Sequence, residues 1–333
     1  MLNRFLSIKQ LVSGKAEAPN SKRPGFSKFI REYAVLVPLV LLVIVLSFSS
    51  DSFFSTPNIL NILNQQTPLA IIAIAGTFVI ISGGFDLSTG AIFAVANVVA
   101  AWVAVNLSSS ILGLLTAPVV GLVLGIVNGI IVTRLKIHSF LATLATSLVY
   151  RAVAVLVTGG ALIPISDPKF SILGREKFFG IFWAVWVLLI FLLIASFISN
   201  RTVYGRYVPA IGGNSEAAEL SGIAVDRVRI LVFGFSGLAA GIASAIGVSR
   251  VASGQPLAGT GLELSAIAAI ILGGTSIYGG VGAIWRSICG VYLIALIGNG
   301  FNLLNMNPLF KDLVTGAVIL IAVAVAASER KGR

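Results

Sequence analysis

The sequence predicts an all-α polytopic membrane protein with about ten transmembrane helices. Three observations predict it. Of the 333 residues 57% are hydrophobic and 11% charged, with a mean hydropathy of +1.01. The apolar residues fall into runs near the roughly 20 residues that a helix needs to cross about 30 Å of hydrocarbon, separated by short polar breaks. The 35 glycines suit helices that approach closely through small residues or break at functional points.

The elements follow in chain order. Residues 1–32 form a basic tail with Arg4, Lys9, Lys15, Lys22, Arg23, Lys28 and Arg31. Such a tail fits a cytoplasmic segment beside anionic lipid, at roughly 1 kcal/mol per charge; a solvated tail is the alternative. No cleavable signal is expected, because the first apolar run begins only at Ala34 and no small-residue cleavage pattern follows it. A transmembrane domain is expected over 33–328 and a short cytoplasmic tail over 329–333. The candidate spans are 33–50, 67–82, 86–106, 110–133, 138–158, 181–199, 230–250, 264–281, 283–304 and 311–328. An even count with the amino terminus inside puts Arg134, Lys136, Arg201, Arg206, Arg227, Arg229, Arg330, Lys331 and Arg333 in the cytoplasm, as the positive-inside rule favours. The external exceptions are Arg250, Lys311 and the loop 159–180, where Lys169, Arg175 and Lys177 accompany Asp167 and Glu176.

Composition excludes several function classes. One cysteine, Cys289, allows no intramolecular disulfide, and one histidine, His138, leaves no cluster for zinc or iron, so no metal and no cofactor are expected. The net charge of +11 is concentrated at membrane edges, so nucleic acid is not an expected partner. The lipid bilayer is. The sequence holds no G-x-x-x-x-G-K-[ST] phosphate loop, so ATP-driven transport would draw its energy from another chain. An ion-coupled secondary transporter would need intramembrane carboxylates, for which Asp86 and Glu263 are the candidates. An integral-membrane enzyme would need a nucleophile–base or metal constellation, which is missing.

Two polar features interrupt the apolar runs. In GNSEAAELSGIAVDRVR (213–229), Asn214 or Ser215 can cap a helix, Glu216 and Glu219 complement its amino-terminal dipole, and Gly222 is placed to stop it. Helices of about two turns are marginal in water, so this one calls for a docking surface. An ordinary polar loop is the alternative. The second feature is a pair of glycine breaks. IISGGFDLSTG (80–90) echoes AIILGGTSIYGG (269–280), which suggests an internal duplication. In the first, Gly83 and Gly84 precede Asp86 and Ser88, and Asp86 either caps the following helix or contacts a translocation pathway. In the second, Gly273, Gly274, Thr275, Ser276, Gly279 and Gly280 expose backbone that a bilayer tolerates only under cover of protein or a water-filled cavity. A pathway wall and plain close packing are both open. Arg151 and Arg286 lie inside apolar runs, where arginines snorkel or pair, and Glu263 is expected at an outer helix start.

Five stretches, in this order, carry a family resemblance: GGFDLSTG (83–90), LGIVNGIIVTRLKIHSFLATLAT (124–146), YGRYVPAIGGNSEAAELSGIAVDRVR (204–229), LELSAIAAIILGGTSIYGGVGAI (262–284) and NGFNLL (299–304). They resemble permease subunits of ATP-binding-cassette importers of the ribose, xylose and arabinose type, over about residues 35–325. The resemblance implies a type II-like permease fold in the bacterial plasma (inner) membrane with both termini cytoplasmic, and a transport role rather than an enzymatic one. It makes 200–229 the cytoplasmic coupling loop, with Gly212, Gly213, Asn214, Ser215, Glu216, Ala217, Ala218, Glu219 and Gly222 docking the ATPase subunit. It makes Gly83, Gly84, Asp86, Ser88, Gly273, Gly274, Thr275 and Ser276 the candidates for the translocation pathway. The implied partners are an ABC ATPase subunit, an extracytoplasmic sugar-binding protein and a second permease subunit, as homodimer or heterodimer. The chain departs from the family at Ser139, where proline is common, and at Arg286-Ser287, where glycine and threonine are more frequent. A permease for branched-chain amino acids is the alternative within the same transporter class.

Overall fold

The computed structural model of the chain describes Tyr33 and residues 35–307, 309–311, 313–318 and 320. The basic tail expected over 1–32, the tail expected over 329–333 and most of the span expected over 311–328 lie outside these residues. The chain divides into Met1–Ala34 and Val35–Arg333, and the architecture is that of the second unit.

Helices α1 (Leu36–Ser49), α2 (Thr56–Ile81), α3 (Thr89–Asn106), α4 (Ser110–Arg134) and α5 (Ser139–Thr158) come first. A short irregular stretch follows, with strand β1 (Ile163–Pro164), a 3-10 turn at Pro168–Ser171, helix α6 (Ile172–Arg175) and the hairpin β2 (Lys177–Phe178) and β3 (Ile181–Phe182). Then come α7 (Trp183–Arg201), α8 (Val203–Gly213), α9 (Ser215–Leu220) and α10 (Val225–Val251). Strand β4 (Ser253–Gly254), α11 (Leu262–Leu272) and α12 (Ile284–Leu303) complete the elements. Strand β1 pairs antiparallel with β4, Ile163 opposite Gly254.

Among the described residues, seven helices are long and apolar enough to cross a membrane: α2, α3, α4, α5, α7, α10 and α12. Helices α1 and α11 are apolar but only 14 and 11 residues long. Of the three expected spans missing from this count, 33–50 appears as the 14-residue α1, 311–328 lies mostly outside the described residues and 264–281 is interrupted; two further spans keep their place but shift their starts. The run 264–281 was expected to continue through the glycine pair, but α11 ends at Leu272 and Gly274 turns to φ +81°. The run expected over 86–106 starts as a helix only at Thr89, because 82–88 is not helical. The run expected over 67–82 begins earlier, at Thr56, where the Ser55 hydroxyl accepts from the Asn58 amide and Pro57 occupies the first turn. Two asparagines of its polar first half find hydrogen-bond partners inside the bundle. Asn58 and Asn299 exchange hydrogen bonds of 3.3 and 2.7 Å, and Asn64 donates to the Gly174 carbonyl at 3.1 Å.

Helices α2, α3 and α10 form the buried centre, and α4, α5 and α7 lie at the periphery with only 28% of their apolar windows covered. The closest packing is between α4 and α10. Gly121, Gly125 and Gly129 recur every fourth residue along α4 and face Gly237, Gly241 and Ile230 of α10. A methyl on Gly237 would overlap the Gly121 carbonyl, and one on Gly125 would overlap that of Phe233. Small residues at this spacing let two backbones touch, which is how helices associate when lipid removes the hydrophobic drive between them.

The helices alternate in direction, so their ends gather at two faces. One face holds the end of α2, the Arg134–Ser139 connection, the end of α7, helices α8 and α9 and the start of α10. It carries Arg134, Lys136, Arg201, Arg206, Arg227 and Arg229, the residues that charge assigned to the cytoplasm. The opposite face holds the β1–β4 pair and the hairpin. There Asp167 accepts from the Ser110 hydroxyl and from the Lys169 amide, which holds its carboxyl below the usual carboxylate range.

Replacing Gly237 by alanine forces α4 and α10 apart. Thermal unfolding in detergent is expected to show a loss of about 1–3 kcal/mol, the usual cost of overpacking. An unchanged unfolding temperature contradicts the backbone contact.

Candidate functional site at two chain breaks and a short polar helix

Helix α9 forms as its capping residues dictate. Asn214 is extended (φ −159°, ψ 104°) and its Oδ1 accepts from the Ala217 amide at 2.9 Å, so Asn214 rather than Ser215 is the cap. At the other end Gly222 has φ +84°, and the amides of Gly222 and Ile223 donate to the carbonyls of Glu219 and Ala218. Glu216 lies in the first turn, where a carboxylate favours the dipole. The helix is six residues long. Gly213, Asn214, Glu216, Ala217, Glu219 and Gly222 are exposed, Ser215 is half-buried, and Ala218 is buried and anchors the helix to the core. Gly212 is half-buried against the end of α2. Leu220, 86% exposed, was missed by the sequence reading. Its signal was an isolated leucine on an otherwise polar helix.

The first break, 82–88, satisfies its backbone through neighbouring side chains. Gly83, at φ +82°, closes α2, and the Gly84 amide donates to the Val79 carbonyl at 3.0 Å. The amides of Phe85 and Leu87 donate to the hydroxyls of Ser139 and Thr143 on α5, both at 3.0 Å. The departure at Ser139 thus has a role that a proline side chain cannot fill, since proline has no hydroxyl. Asp86 Oδ1 accepts from the Ser88 amide (2.9 Å) and hydroxyl (2.6 Å), and Oδ2 accepts from Ser236 of α10 (2.7 Å). Ser88 in turn accepts from Asn128 of α4 at 2.6 Å, and Asn128 Oδ1 accepts from Tyr150 of α5 at 3.0 Å. Asp86 therefore closes a turn onto Ser88. Ser88 holds the cap position of α3 without a side-chain cap bond of its own. Insertion scales put a carboxylate within a span at about 2.5–3.5 kcal/mol, and hydrogen bonds to a charged group at about 1.5–3 kcal/mol each offset that cost. The network joins four helices at one buried carboxylate, and its partners Asn128, Tyr150 and Ser236 lie far from Asp86 in sequence.

The second break, 273–283, lies against the first. A methyl on Gly273 would overlap the Arg286 carbonyl, so this glycine is required by the approach of α12. Thr275 is buried, and its hydroxyl has no hydrogen-bond partner among the described residues. The Ser276 amide donates to Val281 at 2.9 Å, and the Gly280 amide crosses to the Ile81 carbonyl at the end of α2 at 2.8 Å. The structure thus brings Gly83, Gly212, Gly279 and Gly280 together, with Gly84, Asp86 and Ser88 next along the chain.

Glu263 is not at an outer helix start. The chain from Ser253 runs along α3: the Gln255 amide donates to Asn97 at 2.7 Å, and Gly259 sits against Phe93 and Gly90. Helix α11 consequently begins deep, with the Glu263 carboxylate against Gly90 in the first turn of α3. Arg151 donates to the Ala258 carbonyl at 2.8 Å, tying α5 to the same segment. No group of three or more His, Cys, Asp or Glu able to hold a metal ion occurs among the described residues.

The described residues thus form a helical bundle with internal breaks, a network centred on one buried carboxylate and a short polar helix on the basic face. The chain belongs to the family described as "Branched-chain amino acid transport system / permease component", whose profile matches residues 58–323. It is 37% identical over 310 residues to the ribose import permease protein RbsC of Escherichia coli (strain K12), covering 92% of this chain and 97% of that one. It is 39% identical to RbsC of Bacillus subtilis (strain 168), covering 91% and 94%. It is 34% identical to the L-arabinose transport system permease protein AraH of Escherichia coli (strain K12), covering 93% and 94%. No solved structure matched the chain. The chain is a permease subunit of an ABC importer, a transport component and not itself an enzyme.

Exchanging Asp86 for asparagine keeps an acceptor for Ser88 and a polar partner for Ser236, so folded yield is expected near that of the parent. Leucine there strands both hydroxyls at about 1–3 kcal/mol each. Size-exclusion profiles and unfolding temperatures in detergent distinguish the two; equal behaviour contradicts the network.

Proposed function

We propose that this chain is the membrane-spanning subunit of an ATP-driven importer that passes a monosaccharide of the ribose or arabinose class into the cell. The observation that carries this reading is α9. It is a capped, six-residue helix fixed to the core through Ala218, with Glu216, Ala217, Glu219 and Leu220 left in water on the basic face. A helix that short is marginal alone, and an exposed leucine beside two glutamates suits a partner's groove. In this reading the groove belongs to a separate ABC ATPase, since the sequence holds no phosphate loop. The remaining partners are an extracytoplasmic sugar-binding protein at the hairpin face and a second permease subunit, with a pathway between the two copies. Both termini lie in the cytoplasm of a bacterial plasma membrane, and the basic residues around α9 support that orientation. The fold is read as type II-like, with the glycine breaks at 82–88 and 273–283 as traces of an internal duplication.

The cargo follows from the relatives. Those named for ribose and arabinose match nearly the whole chain at 34–39% identity. The family description favours branched-chain amino acids as a second reading.

Uptake into vesicles holding the permease, the ATPase and the binding protein tests both. Labelled ribose or arabinose is expected to accumulate only with ATP. Leucine accumulation in its place overturns the cargo assignment, and uptake that persists without the ATPase but stops when ion gradients are dissipated overturns the importer itself. Within that assay, replacing Glu216 and Ala217 by bulky residues is expected to lower uptake by about tenfold, equivalent to about 1.4 kcal/mol, while membrane insertion is unchanged.

A further inference from the structure

Three stretches of backbone far apart in sequence meet at Gly212, the penultimate residue of α8, two positions before the cap of α9. A methyl there would overlap the Ile81 carbonyl and stand 2.7 Å from the Gly280 nitrogen. That carbonyl belongs to the last turn of α2, whose carbonyls lack helical partners, and it accepts from the Gly280 amide at 2.8 Å. The second break therefore caps the helix that leads into the first. A methyl on Gly279 would come 2.9 Å from both the Gly212 oxygen and the Gly83 Cα, and one on Gly280 would come 3.2 Å from the Gly213 Cα. Gly83, Gly279 and Gly280 all have positive φ (+82°, +84° and +75°), so their absence of side chains is needed for conformation as well as for contact.

Most junctions between helices are made of side chains, which absorb small displacements by changing rotamer. Around Gly212 the closest approaches are backbone to backbone, with the Ile81 side chain packed against Gly282 beside them, and a close-packed contact without rotamers transmits displacement. From it the first break leads to Asp86 and Ser88, bonded to α4 and α10, and the second leads into α12.

We propose that Gly212 is the positioning residue that carries displacement of α9 to both chain breaks at once, so that docking-helix motion moves the two breaks as one body. The inference rests on the reading of α9 as the helix that docks the ATPase.

The test uses the complete importer in proteoliposomes. Gly212→Ala is expected to keep stoichiometric ATPase and to hydrolyse ATP, while uptake per ATP hydrolysed falls by at least about tenfold. Gly316→Ala, whose methyl meets nothing within 4 Å among the described residues, is the control and is expected to match the parent. Uptake per ATP within about twofold of the parent for Gly212→Ala overturns the inference. Because that variant can fail to fold, a second measurement leaves Gly212 in place. Spin labels at Ser221, which follows α9, and at the exposed Val281 of the second break are introduced in a Cys289→Ser background. Their separation is expected to be the same in nucleotide-free and ATP-bound complexes, and a change between the two overturns the inference. Unaltered chains that take up sugar without the ATPase overturn the proposed function; ATP-driven uptake together with a changing label separation overturns the junction alone.

Discussion

Hydrocarbon offers no hydrogen bonds, so every peptide group that leaves a helix within the bundle must find a partner inside the protein. The rest of this structure follows from that constraint. At 82–88 the amides of Phe85 and Leu87 are met by Ser139 and Thr143, and the Asp86 carboxylate is met by Ser88 and Ser236. At 273–283 the Gly280 amide is met by the last turn of α2. Each break is thus stabilised by a different helix from the one it interrupts. The interruptions link the bundle together, so the two breaks are built from the same bonds that hold the fold.

Glycine serves two purposes in this arrangement. Along α4 and α10, Gly121, Gly125 and Gly237 bring two helices into backbone contact, a static packing role. Around Gly83, Gly279 and Gly280 the chain also takes positive φ, so the glycines provide turns that other residues adopt only under strain. Composition records only their abundance; the difference lies in conformation.

Much of the fold was legible in the sequence because hydrophobic length and capping are local. Helices α4 and α5 agree with the expected spans to within a residue or so, and the α9 cap, first-turn acid and terminal glycine were readable from GNSEAAELSG. The start of α2 was not, because Asn58 and Asn64 bond to Asn299 and to Gly174 at distances in sequence that no window sees. The depth at which α11 begins was hidden for a similar reason: it is set by the contact of 255–259 with α3. At the candidate site the glycine pairs and Asp86 were noticed as types, but their meeting through Ile81, Gly212 and Gly280 depends on tertiary geometry. Leu220 was overlooked because a single leucine in a polar stretch carries little weight until its exposure is known.

That leucine bears on the life of the subunit before it finds company. Leaving such a side chain in water forgoes about 1.5–3 kcal/mol of burial, and it sits at the tip of a helix that is marginal on its own. With α9 on the cytoplasmic side, as proposed, a newly made copy would display an adhesive spot to the cytosol, of the kind that chaperones and proteases survey. Covering it on assembly would remove that mark, so the same residue would couple the permease's abundance to the supply of its motor.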